Sequence, residues 1–191
     1  MNIAKTLLRV TVGALFVGHG TQKLFGWFGG GGPEATAKGF DAMGFRPARY
    51  HALAAGTAET VGGSLLTLGF LTPIASATLS AVMITAIRKV HGQKGVWVTN
   101  GGYEYNAVLL ATLLAFTEQG PGSPSIDARL LPRFKGAELA LLQLAAGAAG
   151  SWIATSDRYG ELLSAKTGGT SAAQRAEEDD ASTEEPKPVP A

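Results

Sequence analysis

The chain has 191 residues, 46% of them apolar and only 16% charged, and it contains no cysteine. That length suits one domain with a sizeable core rather than two, and the missing cysteine excludes disulfides, thiolate nucleophiles and thiolate-held metals or clusters. The overall charge of +1 hides a basic body and an acidic run between Glu177 and Glu185, and no basic stripe suited to nucleic acid is present.

Ile3 to Phe25 is predominantly apolar, interrupted by Lys5 and Arg9 near its start. As a helix it would be ~34 Å long, enough to cross a ~30 Å hydrocarbon core. A signal peptide cleaved after "VGA" is not expected, because the apolar stretch before it is short and broken by Arg9. Tyr50 to Leu71 forms a second span. "GFLTP" makes a turn, and Pro73 suits the first residue of a third span that runs to about Ile87 and ends at Arg88 and Lys89. Tyr103 to Thr117 is the fourth, followed by the breaker "GPGSPS". Leu139 to Ala154 is a fifth, rich in Ala and Gly, whose Ala146 and Gly150 spacing suits close helix packing. The alternative, a soluble bundle with long core helices, requires charged stripes at helical spacing that these segments lack. The fold expected is an all-α, membrane-embedded bundle of four core spans plus a fifth over residues 1–158. A disordered acidic tail is expected over 159–191.

Connectivity places the polar groups. If the first four segments span, loops 26–49 and 88–102 share one membrane face. His19, Gln22 and Lys23 end the first span, Tyr50 and His51 begin the second, His91 follows the third, and Asn100, Tyr103 and Glu104 begin the fourth. All three histidines therefore fall at one end of the bundle. Glu59 is the acid deep in a span, ~13 Å from its start, where an ionisable group is costly and calls for a partner. Trp27, Trp97 and Trp152 read as interfacial anchors, as does His51 beside Tyr50. His19, His51, His91 and Glu104 form no short ligand motif, so no metal or haem is expected. The glycines from Gly29 to Gly32 follow a membrane helix rather than a strand, which argues against nucleotide binding.

The stretches "HGTQKLFGWFGG", "LAAGTAETVGGSLLTLGFLTP", "VH" before a Gly-containing loop, "NGGYEYN" and "GPGSPSID" occur in this order over roughly residues 3–130. In this ordered set the chain resembles the DoxX family of small integral membrane proteins. The resemblance implies a four-helix bundle tied to redox membrane complexes, quinone chemistry and sulfur-handling or oxidative-stress partners; the fifth segment and the tail depart from the family pattern. Two function classes follow. One is a membrane subunit that binds quinone or docks a soluble redox enzyme, and the other is a non-catalytic carrier or scaffold with a small-molecule cavity. In the first, His19, Gln22, Glu59, His91 and Glu104 line one cavity, supported by Lys23, Asn100 and Tyr103. His19 or Gln22 would hold a quinone carbonyl, and Glu59 would supply a proton. The expected location is the plasma membrane of a bacterial-type cell. The more basic loops 26–49 and 88–102 and the tail are then cytoplasmic, and the N-terminus is outside.

Overall fold

The structure, a computed structural model, describes residues 2–167. Its helices are α1 (Ile3–Phe25), α2 (Gly32–Ala42), α3 (Ala48–Leu68), α4 (Thr72–Ala86), α5 (Glu104–Gln119), α6 (Ile126–Leu130), α7 (Ala137–Ala154) and α8 (Asp157–Thr167), with no strand among the described residues. The five long helices correspond to the five apolar segments. Asn2 caps α1 by accepting the Lys5 N–H at 3.1 Å, and Gly26 ends it in the left-handed region at φ 71°. Pro73 occupies the first turn of α4, as its fixed φ favours.

α1, α3, α4 and α5 form an up-and-down bundle. Its core is built from Val12 and Phe16 of α1, Leu66 of α3, Leu79 and Met83 of α4, and Leu113 and Phe116 of α5. α1 and α3 approach backbone to backbone. A Cβ on Gly63 would lie 2.7 Å from the Gly13 carbonyl, and one on Gly20 would lie 2.7 Å from the Gly56 carbonyl. α7 runs parallel to α4 on its outer side. There Gln143 donates to the Ser80 hydroxyl at 2.8 Å and Thr85 bonds Ser151 at 2.9 Å. The small-residue seam is wider than the expected one, whose Gly150 does approach α4: a Cβ there would lie 3.3 Å from the Ala81 Cβ. Ala140, Gln143, Gly147 and Ser151 are the buried face of α7, while Ala146 and Gly150 border a groove.

The outward surface is apolar on every long helix: Leu7, Leu8 and Leu15 of α1, Val61 and Leu68 of α3, Ile74 of α4, Val108 of α5, and Leu141, Leu142 and Ile153 of α7 are exposed. Such a girdle suits hydrocarbon better than water. By length and hydropathy, two stretches are apolar enough to cross a membrane, Thr72–Lys94 and Ala137–Ala154. α1 and α3 carry Arg9 and Glu59, both turned inward and buried, along with several glycines, which lower their mean hydropathy without exposing charge.

The far end of the bundle is tied by the segment after α5. Asp127 is 2% exposed, and its carboxylate accepts the N–H groups of Leu71 and Thr72 at 2.9 and 2.8 Å. It therefore caps the first turn of α4 from 55 residues away in sequence. The backbone N–H of Asp127 donates in turn to the Gly69 carbonyl at 2.8 Å. Arg9, 3% exposed, donates to the Pro124 carbonyl at 2.7 Å. The motif "GPGSPSID" is thus a knot joining α1, the α3–α4 turn and the α5–α7 connection.

One boundary is corrected. The sequence places the end of the bundle at residue 158, but α8 continues the ordered chain to Thr167. Its polar composition conceals two docking contacts: Tyr159 stands edge-on to His51 with ring centroids 6.0 Å apart, and a Cβ on Gly160 would lie 2.7 Å from the Arg46 carbonyl. The rest of the tail expected to be disordered, residues 168–191, lies outside the described residues.

Candidate functional site

A half-open groove of about 620 Å³ runs along the outer face of α4, between α3 and α7, within the size range of small-molecule sites. Its walls are mostly small side chains: Ala54, Ala55 and Ala58 of α3, Ala77, Ala81 and Ala86 of α4, and Ala146, Gly150 and Ala154 of α7. α2 and the loop after it line the polar end with Phe40, Met43 and Phe45. Alanines at helical spacing leave space between helices that larger side chains would fill, so the groove is written into the composition of three helices.

Two polar stations interrupt the apolar lining. The deeper one is the ion pair between Lys23 Nζ and Glu59 Oε2 at 2.5 Å, whose side chains are 25% and 5% exposed respectively. Lys23 Nζ also donates to the His19 carbonyl at 3.4 Å, helping hold the ammonium over Glu59. The second station, at the mouth, holds His51 and Lys89. His51 Nε2 bonds the Arg46 carbonyl at 3.2 Å, and its ring packs on Phe45 at 5.1 Å. Lys89 Nζ sits 5.6 Å above the Phe45 ring, a cation–π arrangement. A π turn over Ile87–His91 makes this placement possible. The extra residue in the turn rotates the chain, so Arg88 points to α7, donating to Ser151 and Thr155 at 3.2 and 3.0 Å and lying 4.4 Å over Trp152, while Lys89 points into the groove.

The five residues expected to line one cavity do not do so. Glu59 lines the groove, with the supporting residue Lys23. His19 is exposed on α1 and pairs with Gln22, Nδ1 to Oε1 at 3.1 Å, and Gln22 donates to the Phe28 carbonyl at 3.3 Å. Both brace the exit of α1. His91 bonds the Gly101 carbonyl at 2.6 Å and closes the loop before α5. Glu104 begins α5, its N–H bonded to the Val96 carbonyl at 2.8 Å, and Asn100 and Tyr103 belong to the same loop. These groups share one end of the bundle, as connectivity requires, but α3 and α4 separate α1 from α5, so they form separate clusters. Among the described residues no three His, Asp or Glu side chains converge as metal ligands.

One expectation about α3 changes as well. His51 is 7% exposed rather than interfacial, because α2, α8 and Phe45 fold over the first turn of its helix. Glu59 lies midway along α3, as expected. The contact of Gly20 with Gly56 and Thr60 sets it level with the His19–Gly20 turn of α1, and Lys23 folds back toward the His19 carbonyl to reach it. The contributions of Phe45, His51 and Lys89 were not legible as a set, since they depend on a fold-back of α2 and a π turn that hydropathy does not encode.

Comparison with known proteins agrees with this architecture. The family model DoxX matches residues 4–92, a range that contains α1 to α4 and both polar stations. The chain is 29% identical over 137 residues to the Uncharacterized membrane protein Rv3486 of Mycobacterium tuberculosis (strain ATCC 25618 / H37Rv), covering 66% of this chain and 80% of that protein. No solved structure matches. With its apolar outer girdle and inward-turned charges, this chain is similar to the DoxX family over residues 4–92, and to a membrane protein over most of its described length.

Proposed function

We propose that this protein is a multi-pass subunit of a plasma-membrane redox complex that holds a quinone in the groove between α3, α4 and α7. The observation that carries the reading is the Lys23–Glu59 pair set into an alanine-walled groove. A quinone needs an apolar slot for its tail, a donor at a carbonyl and a proton source. The alanines supply the slot, Lys23 supplies the donor, and Glu59 is placed to relay a proton, while electrons come from a partner redox enzyme. His19 and Gln22 engage each other and the Phe28 carbonyl outside the alanine lining, which favours Lys23 for the donor role. Lys23, Lys38, Arg46, Arg49, Arg88, Lys89 and Lys94 flank the groove-mouth end, against Lys5, Arg9, Arg129, Arg133 and Lys135 at the other. The positive-inside rule sets the mouth, and the partner's docking face, in the cytoplasm.

Gentle purification, organic extraction and mass spectrometry test this. Quinone should co-extract with the wild type and with His19→Ala, and should be lost from Ala58→Phe, which fills the groove beside Glu59. Absence of quinone from the wild type, or its retention by Ala58→Phe, overturns the reading. The half-open side of the groove favours a second reading, a non-catalytic carrier or scaffold; solute flux in proteoliposomes without any partner would support it.

A further inference from the structure

We propose that the mouth of the groove is a seat for one anionic phospholipid, its phosphate against Lys89 and one acyl chain laid along α4. This rests on the groove being a ligand site, but not on quinone being the ligand.

Charge selects the headgroup. Of the two lysines that line the groove, Lys23 is neutralised by Glu59 at 2.5 Å. Lys89 is exposed, rests over Phe45, and has no carboxylate partner among the described residues. Its nearest titratable neighbour in the groove is His51, whose Nε2 is engaged with the Arg46 carbonyl. The mouth therefore carries uncompensated positive charge, centred on Lys89, while Arg88 is engaged on α7 by Ser151, Thr155 and Trp152. An unpaired, aromatic-backed ammonium at the polar end of an apolar groove is suited to a lipid phosphate.

Length selects the tail. From Val90 to Ala77 the groove follows α4 for ~20 Å at the helical rise. Half of a ~30 Å hydrocarbon core is ~15 Å. A trough that starts at the headgroup level and runs about one leaflet deep between alanine walls matches an extended acyl chain entering from the side. The open flank admits the chain without unfolding any helix.

The test uses the full-length protein in mild detergent, with phosphatidylglycerol or phosphatidylcholine of the same acyl composition added and retention read by native mass spectrometry. The wild type should retain phosphatidylglycerol preferentially, one molecule per chain. Lys89→Gln should lower that retention roughly fivefold, the factor one basic residue near an anionic surface is worth, and Lys94→Gln, outside the groove, should not. Ala58→Phe should displace lipid of either headgroup. Equal retention of both lipids by the wild type overturns the proposal, as does undiminished phosphatidylglycerol binding in Lys89→Gln. Should Lys89→Gln fold poorly, the wild-type preference and its loss with rising salt still decide. Loss of quinone with phosphatidylglycerol binding intact would sink only the quinone reading, and the reverse result would sink only this one.

Discussion

Glu59 and Lys23 are unequal partners. Glu59 is 5% exposed and Lys23 25%, so Lys23 can reach water if its partner is lost while Glu59 cannot. Lys23→Met should cost about 3 kcal/mol, in the range for stranding a buried charge, and Glu59→Gln markedly less, as read by melting temperature in detergent. Equal losses would show that the pair is solvated from both sides. Asp127→Asn makes a second test. A carboxylate accepts from Leu71 and Thr72 through two oxygens, whereas an amide offers one acceptor and turns an N–H toward the other donor. That variant should lose about 2–4 kcal/mol, while Asp41→Asn, at an exposed ion pair, should stay near neutral. At this scale the sequence was half readable. A lone acid in an apolar run announces that Glu59 needs a partner, but pairing it with Lys23 requires the register of α1 on α3. Asp127 stands in a recognisable motif, yet nothing local says that it caps a helix so far back in the chain.

Helices were the most legible level, because an apolar run of sufficient length admits few other structures in lipid. α2 and α8 were not, since their polar composition resembles a loop until Phe45, His51 and Tyr159 are seen to stack. The glycine-lined contact of α1 with α3 sets how close those two helices come, and hence the reach from Lys23 to Glu59. Gly63→Ala places a methyl 2.7 Å from the Gly13 carbonyl and 2.8 Å from the Val17 nitrogen, where neither backbone can yield without moving a helix. It should destabilise by about 1–3 kcal/mol. Gly18→Ala meets nothing within 4 Å and should be neutral or stabilising by up to ~1 kcal/mol from helix propensity. If both variants melt alike, the close approach is not what holds α1 in place.

For the molecule as a whole, the fold class was readable and the candidate site was not. Connectivity alone gathers His19, His51 and His91 at one end, but which of them share a cavity depends on how helices are ordered around the bundle. Orientation is testable because native cysteine is absent. Thr99→Cys, in the loop before α5, and Ala128→Cys, in the knot at the other end, are both at exposed positions. An impermeant maleimide on intact cells should label Ala128→Cys and spare Thr99→Cys. The opposite pattern inverts the topology, and labelling of both places the two ends on one side of the membrane.

The Asp127 knot also bears on motion. It fastens α1, the start of α4 and the α5–α7 connection at one end, while the mouth of the groove lies at the other. A bundle pinned this way behaves like tongs with a fulcrum at Gly69–Thr72: displacements grow with distance from the pivot and are largest around His51 and Lys89. Amide hydrogen exchange should therefore be slowest at residues 69–76 and should quicken along α3 and α4 toward the mouth. Cutting the fulcrum with Asp127→Asn should erase that gradient rather than merely loosen the turn beside it.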